Sequence, residues 1–280
     1  MKIRLIIAFL IIPLFCNVSW AADYGIIKFK AAFKSNNLSE IKSACSNLEW
    51  AGISDTQLYD IIEIKVLNRY KSDFNPALPY MIKSLGYSGQ HKYRQTLDLI
   101  VKNGKDDYKS HAKEAIRNIF KYEKWNKIIS NSSSTIKGLK QNEIRAVNLI
   151  KSDEYTLMRM GAKRIHFEHL YSEKVLDVLQ KSIERHINSY SNDRYYHDAM
   201  AWMFKALGGS KNEKYVQTFI KTIDNSTDLS VARSANRFLA YYGISHTKEL
   251  PKNPQKQDVS PEELRKTYDS EIAEEILQWN

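Results

Sequence analysis

A long stretch of this chain contains no proline, and that absence limits the structures it can adopt. No proline occurs between Tyr80 and Leu250, whereas a proline inside a helix removes a backbone hydrogen bond and clashes with the preceding turn. Apolar residues recur three and four positions apart, as in residues 175–187 (VLDVLQKSIERHI). This spacing places them on one face of an α-helix. We therefore expect an all-α protein with about twelve helices between Asp23 and Gly243.

Glycines lie at the ends of the periodic apolar segments. Five of them each follow an apolar helical stretch: Gly52, Gly86, Gly104, Gly208 and Gly243. A residue in the left-handed conformation commonly ends a helix, and glycine adopts it without steric cost. We expect these glycines to end helices.

Two segments of the chain are similar to each other. Residues 83–101 (KSLGYSGQHKYRQTLDLIV) and 205–223 (KALGGSKNEKYVQTFIKTI) are identical at eight of nineteen positions and lie 122 residues apart. In both, a helix is expected to end at Leu-Gly, a polar turn follows, and a second helix begins near Lys-Tyr. A separation of this size fits three units of about 40 residues, the period of helix-pair solenoids. We predict that residues 22–246 form an α-solenoid of about six helix pairs.

These residues resemble the HEAT repeats, especially the bacterial type related to phycobilin lyases. Residues 84–86 (SLG) and 206–208 (ALG) are similar to the Ala-Leu-Gly of that family, and residues 231–235 (VARSA) are similar to its next helix. The family's characteristic proline is absent here, and Ala232 stands where the family carries arginine. The resemblance implies stacked helix pairs and a habit of binding partners, with no particular activity.

The first 21 residues have the layout of a secretory signal peptide. Two basic residues precede an apolar run at residues 5–15, and Ser-Trp-Ala follows at 19–21. The run is too short for a membrane span, which needs about 20 residues. Phe15 stands before Cys16 where lipoprotein processing requires a small residue. We expect a cleavable signal, a periplasmic or secreted location, no lipid anchor, and no transmembrane segment after cleavage.

The composition changes again after residue 246. Residues 248–259 (KELPKNPQKQDV) contain two prolines and predict a linker, and Ser260 and Pro261 then predict the start of a final helix. Residues 247–280 carry a net charge of −3, whereas residues 22–246 carry +11. We expect an acidic C-terminal helix that docks on the basic body or on a partner.

Metal and catalytic chemistry find little support. His166 and His169 are three residues apart on a predicted helix, but zinc needs three or four ligands, and the metalloprotease helix spaces its histidines by four. The chain has no nucleophile elbow and no phosphate-binding loop. Cys45, the one cysteine left after signal cleavage, is expected to be buried and inert. We therefore expect no enzyme activity and no cofactor; the alternative is a metal-dependent enzyme centred on His166 and His169.

Tyrosines beside basic residues are the best candidates for partner contacts. An aromatic ring adds contact area at a low entropic cost, although many of the 17 tyrosines are also expected in the core. The predicted partner-binding residues are Tyr93, Arg94, Arg194, Tyr195, Tyr196, Tyr215, Arg233 and Tyr242.

A basic body suits an acidic protein, an envelope polymer or anionic lipid headgroups, while the export signal disfavours nucleic acid. We expect an exported, non-catalytic binding or scaffold protein. The alternatives are a periplasmic immunity protein that neutralises a toxin and an assembly factor for an envelope complex.

Overall fold

The computed structural model describes residues 25–35, 37–71, 75–131, 136–187, 189 and 193–244. This part of the chain contains twelve α-helices and no β-strand, which confirms the predicted all-α class. The helices are α1 (Ile26–Lys34), α2 (Leu38–Ala51), α3 (Thr56–Leu67), α4 (Leu78–Tyr87), α5 (Arg94–Asn103), α6 (Asp106–Ile129), α7 (Gln141–Lys151), α8 (Tyr155–Phe167), α9 (Glu173–His186), α10 (Arg194–Gly209), α11 (Val216–Asn225) and α12 (Leu229–Leu239). None of these helices is long and apolar enough to cross a lipid bilayer.

Two terminal predictions fall outside this range. The signal peptide predicted for residues 1–21 and the linker and helix predicted for residues 247–280 lie outside the described residues. The described residues divide into two compact units, the first ending at Leu179 and the second beginning at Gln180, and helix α9 begins in the first and ends in the second.

The first unit consists mainly of two layers of helices. Helices α1, α3 and α5 form one layer, and α2, α4 and α6 form the other. Hydrogen bonds join neighbours within the first layer: the Tyr93 hydroxyl donates to the Asp60 carboxylate at 2.9 Å. Helices α7 and α8 pack on each other, and their apolar side chains meet Trp50 of α2 and Ile129 of α6 in a small separate core. Helices α2, α6 and α8 thereby meet at this core, and α4 packs on α2 and on α6.

The second unit is built around α12, which packs on both α10 and α11. Its interior includes Phe204, Phe219 and Phe238, one from each helix. The pairing of successive helices within each unit is compatible with an α-solenoid arrangement. The number of repeats stays a prediction.

The two similar segments have the same local structure. In each, a helix (α4 or α10) is followed by a turn, a single turn of 3₁₀ helix and a further helix (α5 or α11). The Ser88 hydroxyl donates to the Leu85 carbonyl at 2.6 Å, and the Ser210 hydroxyl donates to the Leu207 carbonyl at 2.6 Å. These hydroxyls satisfy carbonyl groups that the end of a helix leaves unpaired. The internal similarity of the sequence therefore corresponds to equivalent turns.

The prediction that the glycines end helices holds for three of the five. Gly52 and Gly243 have φ angles of 65° and 69°, in the left-handed region, and they follow helical segments as expected. Gly104 also ends a helix, since it follows α5, but its backbone is extended and not left-handed. The prediction is wrong for Gly86 and Gly208, which lie inside α4 and α10.

Close packing explains the helical glycine in α4. A Cβ atom on Gly86 would lie 2.5 Å from the carbonyl oxygen of Ala115 and 2.8 Å from its Cα. Both atoms belong to the backbone of α6, so they cannot rotate away. The residue is glycine because two helix backbones touch there.

Candidate functional site

Three of the tyrosines predicted for the partner-binding surface are buried. Tyr93, Tyr196 and Tyr215 are each 0% exposed, so their rings cannot contact a partner, and this part of the prediction is corrected. The Tyr196 hydroxyl, for example, donates to the His186 carbonyl at 2.8 Å inside the second unit. These tyrosines lie at or just before the start of a helix. The sequence alone could not decide whether a tyrosine with polar neighbours turns its ring toward the core or toward the solvent.

The other predicted contact residues retain some exposure. They are Arg94 and Arg194, which are exposed, and Tyr195, Arg233 and Tyr242, which are half-buried. The Arg194 guanidinium lies 5.6 Å from the Tyr195 ring centroid, and Arg94 forms an ion pair with Asp98 at 3.6 Å. Arg94 belongs to the first unit and the other four belong to the second. Their role in binding stays a prediction.

The two histidines of the metal hypothesis lie at the end of α8. The Tyr171 hydroxyl is 3.4 Å from Nδ1 of His166, and the rings of Tyr171 and His169 have centroids 5.5 Å apart. Nowhere in the described part of the chain do three or more His, Cys, Asp or Glu side chains come together in a way that could hold a metal ion. A metal centre at this position stays a hypothesis.

Cys45 is buried, as predicted. Desolvation raises the pKa of its thiol to about 12. The thiol form therefore persists at neutral pH, and it is the thiolate that acts as a nucleophile or binds metals.

A cluster of ionisable side chains lies where α2, α4, α6 and α8 come together in the first unit. Its members are Glu49 on α2, Lys83 and Tyr87 on α4, Glu114 on α6 and Arg164 on α8, and we call it the Glu49 cluster. The charges of Arg164, Lys83 and Glu114 all act on the Glu49 carboxyl. Residues from four helices thus share one electrostatic environment.

The two cations of the cluster have partners of their own. Lys83 forms an ion pair with Glu114 at 2.7 Å. The Arg164 guanidinium lies 4.6 Å from the Trp50 ring centroid, pairs with Glu168 at 3.3 Å and donates to the Ser46 carbonyl at 3.4 Å. A guanidinium held by a ring, a carboxylate and a carbonyl is fixed in position.

Two acceptor groups of the cluster, in contrast, lack hydrogen bonds. No side chain or backbone group in the described residues donates to the Glu49 carboxylate. Desolvation raises the pKa of this carboxyl, and the charges of Arg164 and Lys83 oppose that rise. The Tyr87 side chain is only 9% exposed, and its hydroxyl has no hydrogen-bond partner in the same part of the structure.

Tyr87 is subject to the same charges. Desolvation raises the pKa of its hydroxyl most, and the negative charges of Glu49 and Glu114 raise it further. Its ring packs against Tyr122, with centroids 4.9 Å apart. Titratable groups with shifted pKa values and a shared location are typical of functional sites.

Sequence reasoning missed this cluster because its members are far apart along the chain. Glu49, Lys83, Glu114 and Arg164 belong to four different helices. One signal could have drawn attention to it. Glu49 lies between Leu48 and Trp50, both buried, and a carboxylate flanked by buried residues is unusual on a solvated helix face.

Comparison with known proteins gives no family for this chain. No protein-family model matches it, and neither the curated proteins nor the solved structures searched gave a match. The resemblance to HEAT repeats therefore stays a prediction.

Proposed function

We propose that this protein is an exported, non-catalytic binding protein and that the Glu49 cluster is part of its contact with a protein partner. The proposal depends chiefly on the Glu49 carboxylate, which is half-buried and accepts no hydrogen bond from the residues that the structure describes. A hydrogen bond to a charged group contributes about 1.5–3 kcal/mol. A partner that donates such a bond to this carboxylate would gain that free energy on binding.

Exposed aromatic rings on the helices of the cluster support a protein as the partner. Phe167 is 63% exposed at the end of α8, three residues after Arg164, and Tyr80 is 40% exposed on α4, three residues before Lys83. Residues three apart on a helix lie on the same face. Aromatic rings next to a fixed arginine are common in the energetically dominant part of protein interfaces.

The charge of the whole body favours an acidic partner at long range. Residues 22–246 carry a net charge of +11, which speeds the approach of a negatively charged protein or envelope polymer. Such attraction is screened by salt, with a screening length of about 10 Å at 0.1 M and about 3 Å at 1 M.

Capture of a partner tests this proposal. The exported protein is immobilised and exposed to envelope extract at 0.1 M and at 1 M salt, next to an unrelated helical protein of similar net charge. We expect one protein to be retained in stoichiometric amount, to be released at high salt, and to bind again when both components are purified. If nothing is retained beyond what the control protein retains, the proposed function is wrong.

A further inference from the structure

We infer that one face of helix α6 binds the surface of a lipid bilayer that carries anionic headgroups. We call it the α6 basic face, and its residues are Lys113, Arg117, Lys121, Lys124 and Lys127. This contact goes beyond the protein contact proposed above, and neither depends on the other. The spacing of the cations and the groups around them indicate the kind of partner.

The cations of the α6 basic face lie on one side of the helix. With 3.6 residues per turn and a rise of 1.5 Å per residue, they fall within an arc of about 120° and extend over about 21 Å of the helix axis. All of them reach the solvent, since Lys121 is half-buried and the others are exposed. The opposite side of α6 is buried in the core and includes Ala112, Ala115 and Ile119. The face is therefore a solvent-facing row of positive charge.

Most of these charges have no counterion within the described part of the chain. The side chains that form no ion pair and no hydrogen bond there are those of Lys113, Arg117, Lys121 and Lys127. Other cations of the first unit do have such partners: Lys109 of α6 pairs with Asp106 at 2.8 Å. The row thus keeps its charge available for an external anion.

The carboxylates of α6 that could neutralise this face are engaged elsewhere. Glu114 and Glu123 lie three or four residues from cations of the face, which is the spacing of helical ion pairs. Glu114 instead pairs with Lys83 of α4 at 2.7 Å, and the Glu123 carboxylate lies 3.3 Å from Nε2 of His91. Neighbouring cations of the face are three or four residues apart, and like charges at this spacing destabilise a helix. A negatively charged surface against the face relieves that repulsion.

The surroundings of the face favour a bilayer over a protein as its partner. Protein interfaces depend on a few large anchor residues, and no large apolar side chain of α6, all of which the structure describes, is exposed. Phe120 lies on this side of the helix, but it is half-buried and packs against His91, with ring centroids 4.9 Å apart. A bilayer needs no such anchor, because mobile headgroups meet cations at any spacing, and each lysine or arginine near an anionic surface strengthens binding about fivefold.

Vesicle sedimentation tests the inference. The exported protein is mixed with vesicles of a two-to-one mixture of phosphatidylcholine and phosphatidylglycerol, and with vesicles of phosphatidylcholine alone. We expect binding only to the anionic vesicles, with release when salt is raised from about 0.1 M to about 1 M, because the screening length falls to about 3 Å. The double variant Arg117→Gln with Lys121→Gln should bind about 25-fold more weakly, since it loses two cations that each contribute about fivefold.

A matched double variant controls for the loss of net charge. Lys34→Gln with Lys221→Gln removes two exposed lysines from α1 and α11. It should bind the anionic vesicles within about threefold of the unchanged protein, because charges far from the contact are screened. Circular dichroism checks that each variant folds. If the first double variant does not fold, Lys113→Gln with Lys127→Gln removes two cations from the same face and decides instead.

Each of three results overturns the inference. They are no binding to the anionic vesicles, equal binding to vesicles of phosphatidylcholine alone, and equal losses in the α6 variant and the matched variant. The inference is also wrong if vesicles are not bound while a protein captured from envelope extract binds the α6 variant more weakly, because the face is then a protein contact. Failure to capture any protein contradicts the proposed function and leaves the vesicle result unaffected.

Discussion

Replacing each of two equivalent glycines by alanine should have opposite consequences. Gly86 of α4 and Gly208 of α10 occupy the same position in the two similar segments. A Cβ on Gly86 would lie 2.5 Å from the Ala115 carbonyl oxygen, whereas a Cβ on Gly208 would lie 3.1 Å from the Phe238 carbonyl oxygen. An unstrained contact begins near 3.4 Å. The overlap is thus about three times larger at Gly86.

These overlaps convert into different free energies of unfolding. Overpacking costs about 1–3 kcal/mol, and the upper end applies at Gly86, since the atoms met are helix backbone. Alanine recovers about 0.5–1 kcal/mol of helix propensity at either position. We therefore expect Gly86→Ala to destabilise the protein by about 2 kcal/mol. At Gly208 a shift of a few tenths of an ångström suffices, so the two effects nearly cancel and the change should stay within about 0.5 kcal/mol.

Urea unfolding followed by circular dichroism at 222 nm measures the difference. The free energy of unfolding falls by about 2 kcal/mol per molar urea. The urea midpoint of Gly86→Ala should therefore be lower by about 1 M, while that of Gly208→Ala should move by less than about 0.3 M. Gly25→Ala serves as a control, because a Cβ there meets no atom within 4 Å. Equal midpoints for the Gly86 and Gly208 variants would contradict the packing explanation.

Four further outcomes are expected. Lys211 has a φ of 52°, so Lys211→Gly should raise the free energy of unfolding by about 1 kcal/mol, measured by urea unfolding, and no gain would argue against strain at this turn. The pKa of the Glu49 carboxyl is raised above its ordinary 4.5 in the folded protein, so the folded state binds the proton more tightly than the unfolded state and the free energy of unfolding falls as pH rises above 4.5. Glu49→Gln should remove that fall and be more stable than the unchanged protein at pH 7. Urea unfolding of both proteins at pH 5 and pH 7 measures this. Cys45 should react with a thiol reagent only at the rate of unfolding, and fast modification of the native protein would contradict its burial. Metal analysis should find no stoichiometric zinc; zinc that is lost in His166→Ala and His169→Ala would instead support the metal-enzyme alternative.

The helical class follows from the sequence because it depends on local physics. Proline-free stretches with apolar residues three and four apart have only one regular structure that buries those residues. Helix starts are similarly local: the Asp55 side chain accepts from the backbone N–H of Leu58 and caps α3, and aspartate is one of the residue types preferred at that position. The repeated turn is also recognisable, because Leu-Gly and Lys-Tyr recur in order.

The candidate site could not be predicted in the same way. Whether Tyr93 faces the solvent or Asp60 depends on where α3 lies relative to α5, and that is set by packing between distant segments. The Glu49 cluster depends on four helices at once. Gly86 shows the same limit: its sequence context fits a helix terminator equally well, and only the neighbouring backbone of α6 reveals its actual role.

The two equivalent turns also differ in how freely their residues can change. Gly89 has a φ of 64°, and a Cβ there would lie 2.6 Å from the backbone nitrogen of Glu123 in α6. Helix α6 runs for 24 residues and passes over this turn, while α12 has 11 residues and ends at Leu239. A descendant sequence can therefore carry lysine, asparagine or aspartate at position 211, whereas the backbone of α6 restricts position 89 to glycine. The length of one helix sets the mutational freedom of a loop it merely crosses.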